Sequence, residues 1–191
     1  MIRRRAWSEW LERGAAVAAV FVVLAAGARA FASFREVPRH ELVLAADDVV
    51  LVEILSVSNT AGRVPHAAGE VPFTEATARV VRAFRGGFRE GDAFAFRAPG
   101  GVHPDGRTLM VSTSPALEGH RGGRALAFVE RDAFGPGLHG LAHKALGLYR
   151  VETARGGADV VRGVTGYPIE RDLPVAEVPN LVIEATSRRR R

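Results

Sequence analysis

His139 and His143 stand four residues apart, the spacing at which two imidazoles on one helical face hold Zn²⁺ in zincin proteases. That chemistry also requires a glutamate directly after the first histidine, and Gly140 occupies the position. On a strand the two residues would be about 13 Å apart, too far to share a metal with bonds near 2 Å. The pair therefore predicts no metal site, and no cofactor is expected. His40, His66, His103 and His120 lie in separate loop-like stretches, so a metal built from them requires the fold to bring them together.

Nucleophilic chemistry finds no better footing. Ser112, Ser114 and Ser187 lack the G-x-S-x-G setting of a nucleophile elbow, and there is no S-x-x-K pair. No glycine-rich phosphate loop ends in Lys-Ser or Lys-Thr. Asp47-Asp48 precedes an apolar run and reads as a solubilising pair or a turn, while a hydrolytic carboxylate pair converges only in three dimensions. No catalytic residue is assigned. A metal-dependent hydrolase is the enzymatic alternative.

Arg-Gly-Gly occurs at Arg85, Arg121 and Arg155. In RNA-binding proteins such triplets sit in disordered arginine-rich segments. Here each lies between apolar runs, where paired glycines supply the positive φ angles of tight turns.

The runs that would position these residues have β character. Val49 to Leu55 is continuous, apolar and rich in β-branched residues, which fits a strand buried on both sides or in a barrel wall. Ala76, Ala78 and Val80 alternate with Thr77 and Arg79, and the phase changes at Val81, which predicts a bulge at Val80-Val81. Further short runs follow at Ala93–Phe96, Leu109–Val111, Ala125–Val129, Leu148–Val151 and Asp159–Arg162, separated by Gly, Pro and Asp. The expected fold class is all-β, a small closed or partly open barrel preceded by an N-terminal hydrophobic helix. Closure would remove the exposed edges that make open sheets associate.

At the N-terminus, Arg3, Arg4, Arg5 and Arg13 precede an apolar run from Ala15 to Ala28, followed by Ala28-Arg29-Ala30 and Ala30-Phe31-Ala32. A charged head, an apolar middle and an A-x-A exit form the pattern of a secretory signal peptide. A retained anchor is the alternative, but the run reaches only about 21 Å as a helix, against a hydrocarbon core of about 30 Å. Expected boundaries are 1–32 for the signal peptide or anchor, 33–46 for a linker, 47–166 for the β domain and 167–191 for a proline-containing, arginine-ending tail.

The formal charge of +5 is misleading until it is divided along the chain. The leader through Ala32 holds five arginines and two glutamates, and Arg188 to Arg191 add four more arginines; the rest holds 17 basic and 19 acidic residues, a balance of −2. A nucleic-acid binder carries its positive charge on a folded face, so nucleic acid is not an expected partner. There is no cysteine, and without disulfides an exported chain of this size relies on its apolar core, as bacterial envelope proteins can.

From Thr74 to Val151 the order of small motifs resembles a group of uncharacterised exported bacterial proteins. Their pattern runs T-x-x-x-V-x-V, a lysine-glycine turn, a strand ending in P-G-G, a proline followed by G-E-x-x-L-x-F-L, and a final Q-G-x-Y-x-V. The corresponding residues are Thr74 to Ala78, Val80 to Gly86, Phe96 to Gly101, Pro115 to Phe128 and Gly140 to Val151; here the turn is Arg85-Gly86, the third element reads Gly122-Gly123-Arg124-Ala125-Leu126-Ala127-Phe128-Val129, and the last reads Leu146-Gly147-Leu148-Tyr149-Arg150-Val151. The resemblance implies an OB/netrin-like barrel, similar to the fold of the tissue inhibitors of metalloproteinases. The N-terminal cysteine through which those inhibitors engage metal is absent here. Some members of the group accompany secreted proteases, which makes a protease one candidate partner.

The expected function is therefore a non-enzymatic extracytoplasmic binding module, periplasmic or extracellular, with a protein or polymer of the cell envelope as partner. The alternative to release is a single-pass, membrane-tethered structural subunit facing outside the cytoplasm. Recognition usually resides in loops on a rigid scaffold. The candidate loops are Asn59 to Pro72 and Pro99 to Gly106, with Asn59, Arg63, His66, Gly100, Gly101, His103 and Asp105 as candidate binding residues.

Overall fold

A computed structural model describes residues 37–63, 70–103, 105–106, 108–109, 117–162 and 172–188. The apolar leader, His66 and the closing Arg189–Arg191 lie outside the described residues. Among the described residues, no helix is long and apolar enough to cross a membrane.

The chain is predominantly β. Strands β1 (Asp48–Arg63), β2 (Glu70–Arg85), β3 (Ala93–Pro99), β6 (Arg124–Glu130), β7 (Gly140–Leu141), β8 (Leu148–Thr153), β9 (Asp159–Val161) and β10 (Leu173–Pro174) form one antiparallel sheet. Its order is β10-β9-β8-β6-β1-β2-β3, with β7 beside β6. Two short strands, β4 (Gly101–Val102) and β5 (Thr108–Leu109), pair separately. Among the described residues the sheet is not closed, so the closed barrel among the expectations is corrected. An isolated parallel bridge joins Phe96 of β3 to His139, next to β7. Two helices, α1 (Arg39–Ala45) and α2 (Val178–Arg188), add helical structure to the expected all-β class.

Val49 to Val52 form a continuous apolar run because both faces of β1 are covered. Val49, Leu51, Leu126 and Phe128 pack with Leu42 and Val43 of α1 and with Val178, Val182 and Ala185 of α2. Val50, Val52 and Ile54 face the other way, toward Ala76, Ala78, Phe94, Phe96, Ala125, Ala127, Leu141 and Leu148. On that side the alanines of β2 and β6 leave the space that Phe94 and Phe96 fill, the large-beside-small arrangement that a dense interior requires.

Parts of the expected linker and tail thus supply core. Residues 39–45 of the stretch read as a linker are helical, and Leu42 and Val43 are fully buried. Residues 173–188 of the tail form β10, a 3₁₀ turn and α2, with Val175, Val178, Val182 and Ala185 buried. Val178, Val182 and Ala185 recur at three- and four-residue steps, which place them on one helical face.

The ladder between β1 and β2 breaks register three times. Val52 pairs with Val80 while Leu51 pairs with Arg82, so Val81 is the extra residue of a bulge at the expected position. Phe84 and Leu55 are passed over in the same way. Each bulge bends its strand and increases its twist, which lets one long ribbon serve the core at one end and project at the other.

Asp47-Asp48 is more than a solubilising pair. Asp48 is fully buried; its Oδ1 accepts from the Gly87 amide at 2.6 Å, the Phe88 amide at 3.1 Å and Arg131 Nη2 at 2.7 Å, and its Oδ2 accepts from Arg131 Nε at 2.5 Å. Burial alone would raise its pKa, but the Arg131 contact and the two amides outweigh burial and hold it below its ordinary value. Gly86 closes the turn at φ +103, where a Cβ would sit 1.9 Å from Asp48 Oδ1. The first Arg-Gly-Gly is therefore a turn wrapped around a buried carboxylate.

Candidate functional site

The far half of the β1/β2 ribbon pairs Asn59 with Thr74, Thr60 with Phe73, Ala61 with Pro72, Gly62 with Val71 and Arg63 with Glu70. Pro72 lies one residue beyond the β2/β3 ladder, which ends at the Phe73–Pro99 pair. A proline is admitted there because its missing N–H leaves no gap in that ladder. Pro72 carbonyl oxygen instead accepts the Gly100 amide at 3.0 Å.

Pro99-Gly100-Gly101 turns the chain from β3 across this ribbon. Gly100 and Gly101 adopt φ +105 and +125. A Cβ on Gly101 would lie 2.6 Å from Asn59 Oδ1 and 2.9 Å from Thr74 Oγ1, so only glycine fits. The crossing is pinned by Thr74 Oγ1 donating to the Gly100 carbonyl at 3.1 Å and by the Val102 amide donating to Asn59 Oδ1 at 3.2 Å. The Gly106 amide returns to the His103 carbonyl at 2.8 Å and closes the turn beyond β4.

This frame sets His103 between two carboxylates. Its Nδ1 is 2.8 Å from Asp105 Oδ1, and its Nε2 is 4.0 Å from Glu70 Oε2. The His103 side chain is 12% exposed and that of Glu70 56%. Nε2 is buried and has no hydrogen-bond partner.

Of the seven candidate residues, the fold brings Asn59, Gly100, Gly101, His103 and Asp105 to one end of the ribbon. Arg63 lies at that end by backbone pairing with Glu70, and His66 falls outside the described residues. Glu70, Pro72 and Thr74 are the participants that the sequence reading did not single out. Val71 and Phe73 alternate with Glu70, Pro72 and Thr74, a strand signal that Pro72 masked. The stretch from Asn59 to Pro72, expected as a long loop, is accordingly strand over Asn59–Arg63 and Glu70–Pro72, and residues 64–69 lie outside the described residues.

His139 and His143 do not share a helical face. The His139 ring packs edge-on against Phe88 and Phe94, with centroids 5.6 and 6.0 Å away, and its carbonyl accepts the Arg97 amide. His143 is exposed in a 3₁₀ turn at φ +51. His120 has an unpartnered buried Nδ1, and its pKa is lowered by burial and then by Arg150. Among the described residues, no group of three or more His, Asp or Glu converges to hold a metal. No family model matches the chain, and no curated protein matches it either.

Proposed function

We propose that this chain is an exported, non-enzymatic binding module that recognises a protein or polymer of the bacterial envelope through the end of the β1/β2 ribbon. The single observation that carries this reading is the convergence of Asn59, Glu70, Gly100, Gly101, His103 and Asp105 on a frame fixed by strand pairing, glycine turns and side-chain hydrogen bonds. Val102, 44% exposed, stands beside them as an apolar contact point. A rigid platform with a few polar groups and an exposed apolar residue recognises partners without paying to order a flexible loop.

The arginine-led apolar leader supports delivery outside the cytoplasm, as a periplasmic or extracellular protein or as one tethered by an uncleaved leader. The way β7 pairs with β6 while its neighbour His139 bridges to β3 supports a partly open barrel of the OB/netrin-like kind. In that reading a secreted protease is one candidate partner.

The test combines cell fractionation, N-terminal sequencing of the native chain and a photo-crosslinking residue at position 102. The expected result is a chain outside the cytoplasm and an adduct formed from position 102 but not from position 183 on α2. Recovery of the intact chain from the cytosol would refute export, and adducts independent of position would refute the assigned surface.

A further inference from the structure

We propose that His103 Nε2 and the Glu70 carboxylate form a binding site for a divalent transition metal of the zinc type, with Asp105 as the outer carboxylate that fixes the His103 ring. The contacts of Nδ1 fix the position of the imidazole proton. Nδ1 lies 2.8 Å from Asp105 Oδ1 and 3.3 Å from the Asp105 amide. It cannot donate to the carboxylate and accept from the amide at once. A lone pair on Nδ1 would face a carboxylate oxygen at the shorter distance, so Nδ1 carries the proton and donates to Asp105.

In the neutral ring, Nε2 then carries the lone pair. It is buried, lacks a hydrogen-bond donor and faces Glu70 Oε2 at 4.0 Å. Nε2, which is buried, and the more exposed Glu70 Oε2 are both electron-rich, and a cation between them satisfies both. Metal-bound histidines characteristically donate their other ring N–H to a carboxylate, which orients the ring and raises its basicity. The Asp105–His103 pair already has that arrangement.

The separation is close to what the ion needs. Two ligands on a tetrahedral metal with bonds of about 2.1 Å lie about 3.4 Å apart, so the pair must close by about 0.6 Å. Glu70 can supply that movement because its side chain is 56% exposed. One imidazole and one carboxylate suit zinc and its transition-metal neighbours better than the hard, all-oxygen cations. With no third His, Asp or Glu converging among the described residues, water completes the coordination and the site is an open one.

The site does not rest on the proposed binding role: zinc binding is read on the isolated chain, whereas that role is read from cellular fractions and crosslinks. Tag-free, full-length protein would be titrated with Zn²⁺ against a chromogenic chelator. One saturable equivalent is expected, abolished by His103→Ala, weakened at least tenfold by Glu70→Gln, and weakened about 10- to 100-fold by Asp105→Asn. The His139→Ala/His143→Ala double variant should bind as the parent does. No saturable zinc, an unchanged constant in Glu70→Gln or His103→Ala, or loss confined to the His139/His143 variant would overturn the proposal. Because Glu70 is mostly solvated, Glu70→Gln keeps the test decisive even if His103→Ala fails to fold. A proton as the only cation between the two groups appears as the absence of zinc binding and counts against the site.

Discussion

Replacing Asp48 should be the most damaging single polar substitution in the molecule. The carboxylate is fully buried and takes four hydrogen bonds, two from the Gly87 and Phe88 amides and two from Arg131. Asp48→Ala leaves both amides without their acceptor and strips Arg131 of its partner. Breaking a buried charged pair costs roughly 3–5 kcal/mol. The lower end applies here, because the Arg131 side chain is 42% exposed and water takes over part of its solvation. About 3 kcal/mol in a domain of this size lowers Tm by roughly 6–12 °C. Asp48→Asn keeps one acceptor oxygen but turns an NH₂ group toward the guanidinium, so a smaller loss of about 2 kcal/mol is expected.

The pH dependence has a definite sign. The folded pKa of Asp48 lies below the ordinary 3.8, so its contribution is complete above the unfolded value and disappears as pH falls through the folded one. Urea unfolding of the parent and Asp48→Asn at pH 7 should differ by the full amount, and the gap should shrink as pH falls below 3.8. A cost under 1 kcal/mol for Asp48→Ala, or a parent–variant gap that is constant down to pH 2.5, would refute the reasoning.

Other outcomes follow from the same geometry. Gly101→Ala forces a side chain into φ +125 and against Asn59 and Thr74, and should cost about 1–3 kcal/mol in urea unfolding; hydrogen exchange at the Val102 amide should rise with it, and unchanged exchange would show that the crossing does not depend on this glycine. Removing residues 175–191 withdraws Val175, Val178 and Val182 from the core. At about 1.5–3 kcal/mol for each buried side chain, that loss rivals the whole stability of a domain. The truncated chain should therefore bind a hydrophobic dye and lose its cooperative melt; an unaltered melt would mean that the terminal helix is dispensable.

Much of the sheet was legible because burial leaves a mark on local composition. Val49 to Val52 are apolar on both faces since β1 lies between β6 and β2 with helices on one side, and the phase change at Val81 marked the bulge because alternation is a strict period of two. The two-residue strands β4, β7 and β10 left no such mark: two residues carry no period. The helices were missed for a different reason. Arg39–Ala45 presents only one short apolar step, and Pro174 and Pro179 suggested a broken tail, although Pro174 only precedes the 3₁₀ turn and Pro179 occupies the second position of α2, where its missing N–H costs nothing.

The candidate site was legible as loop chemistry but not as geometry. Asn59 and Gly101 are 42 positions apart in sequence, and only the ribbon's register sets the amide oxygen of one against the Cα of the other. Sequence could mark Gly100-Gly101 as a turn; it could not show that the turn closes over Asn59 and Thr74, or that it delivers His103 to Glu70. Pro72 hid this partner by making a strand look like a loop. The same proline position explains why the site sits where it does. Past the Phe73–Pro99 pair, no third strand among the described residues continues the ladder on that edge of β2, so the chain leaving β3 is free to fold across the ribbon. The end of the β3 ladder is thus what opens the space for His103, and the glycine pair is what lets the backbone enter it.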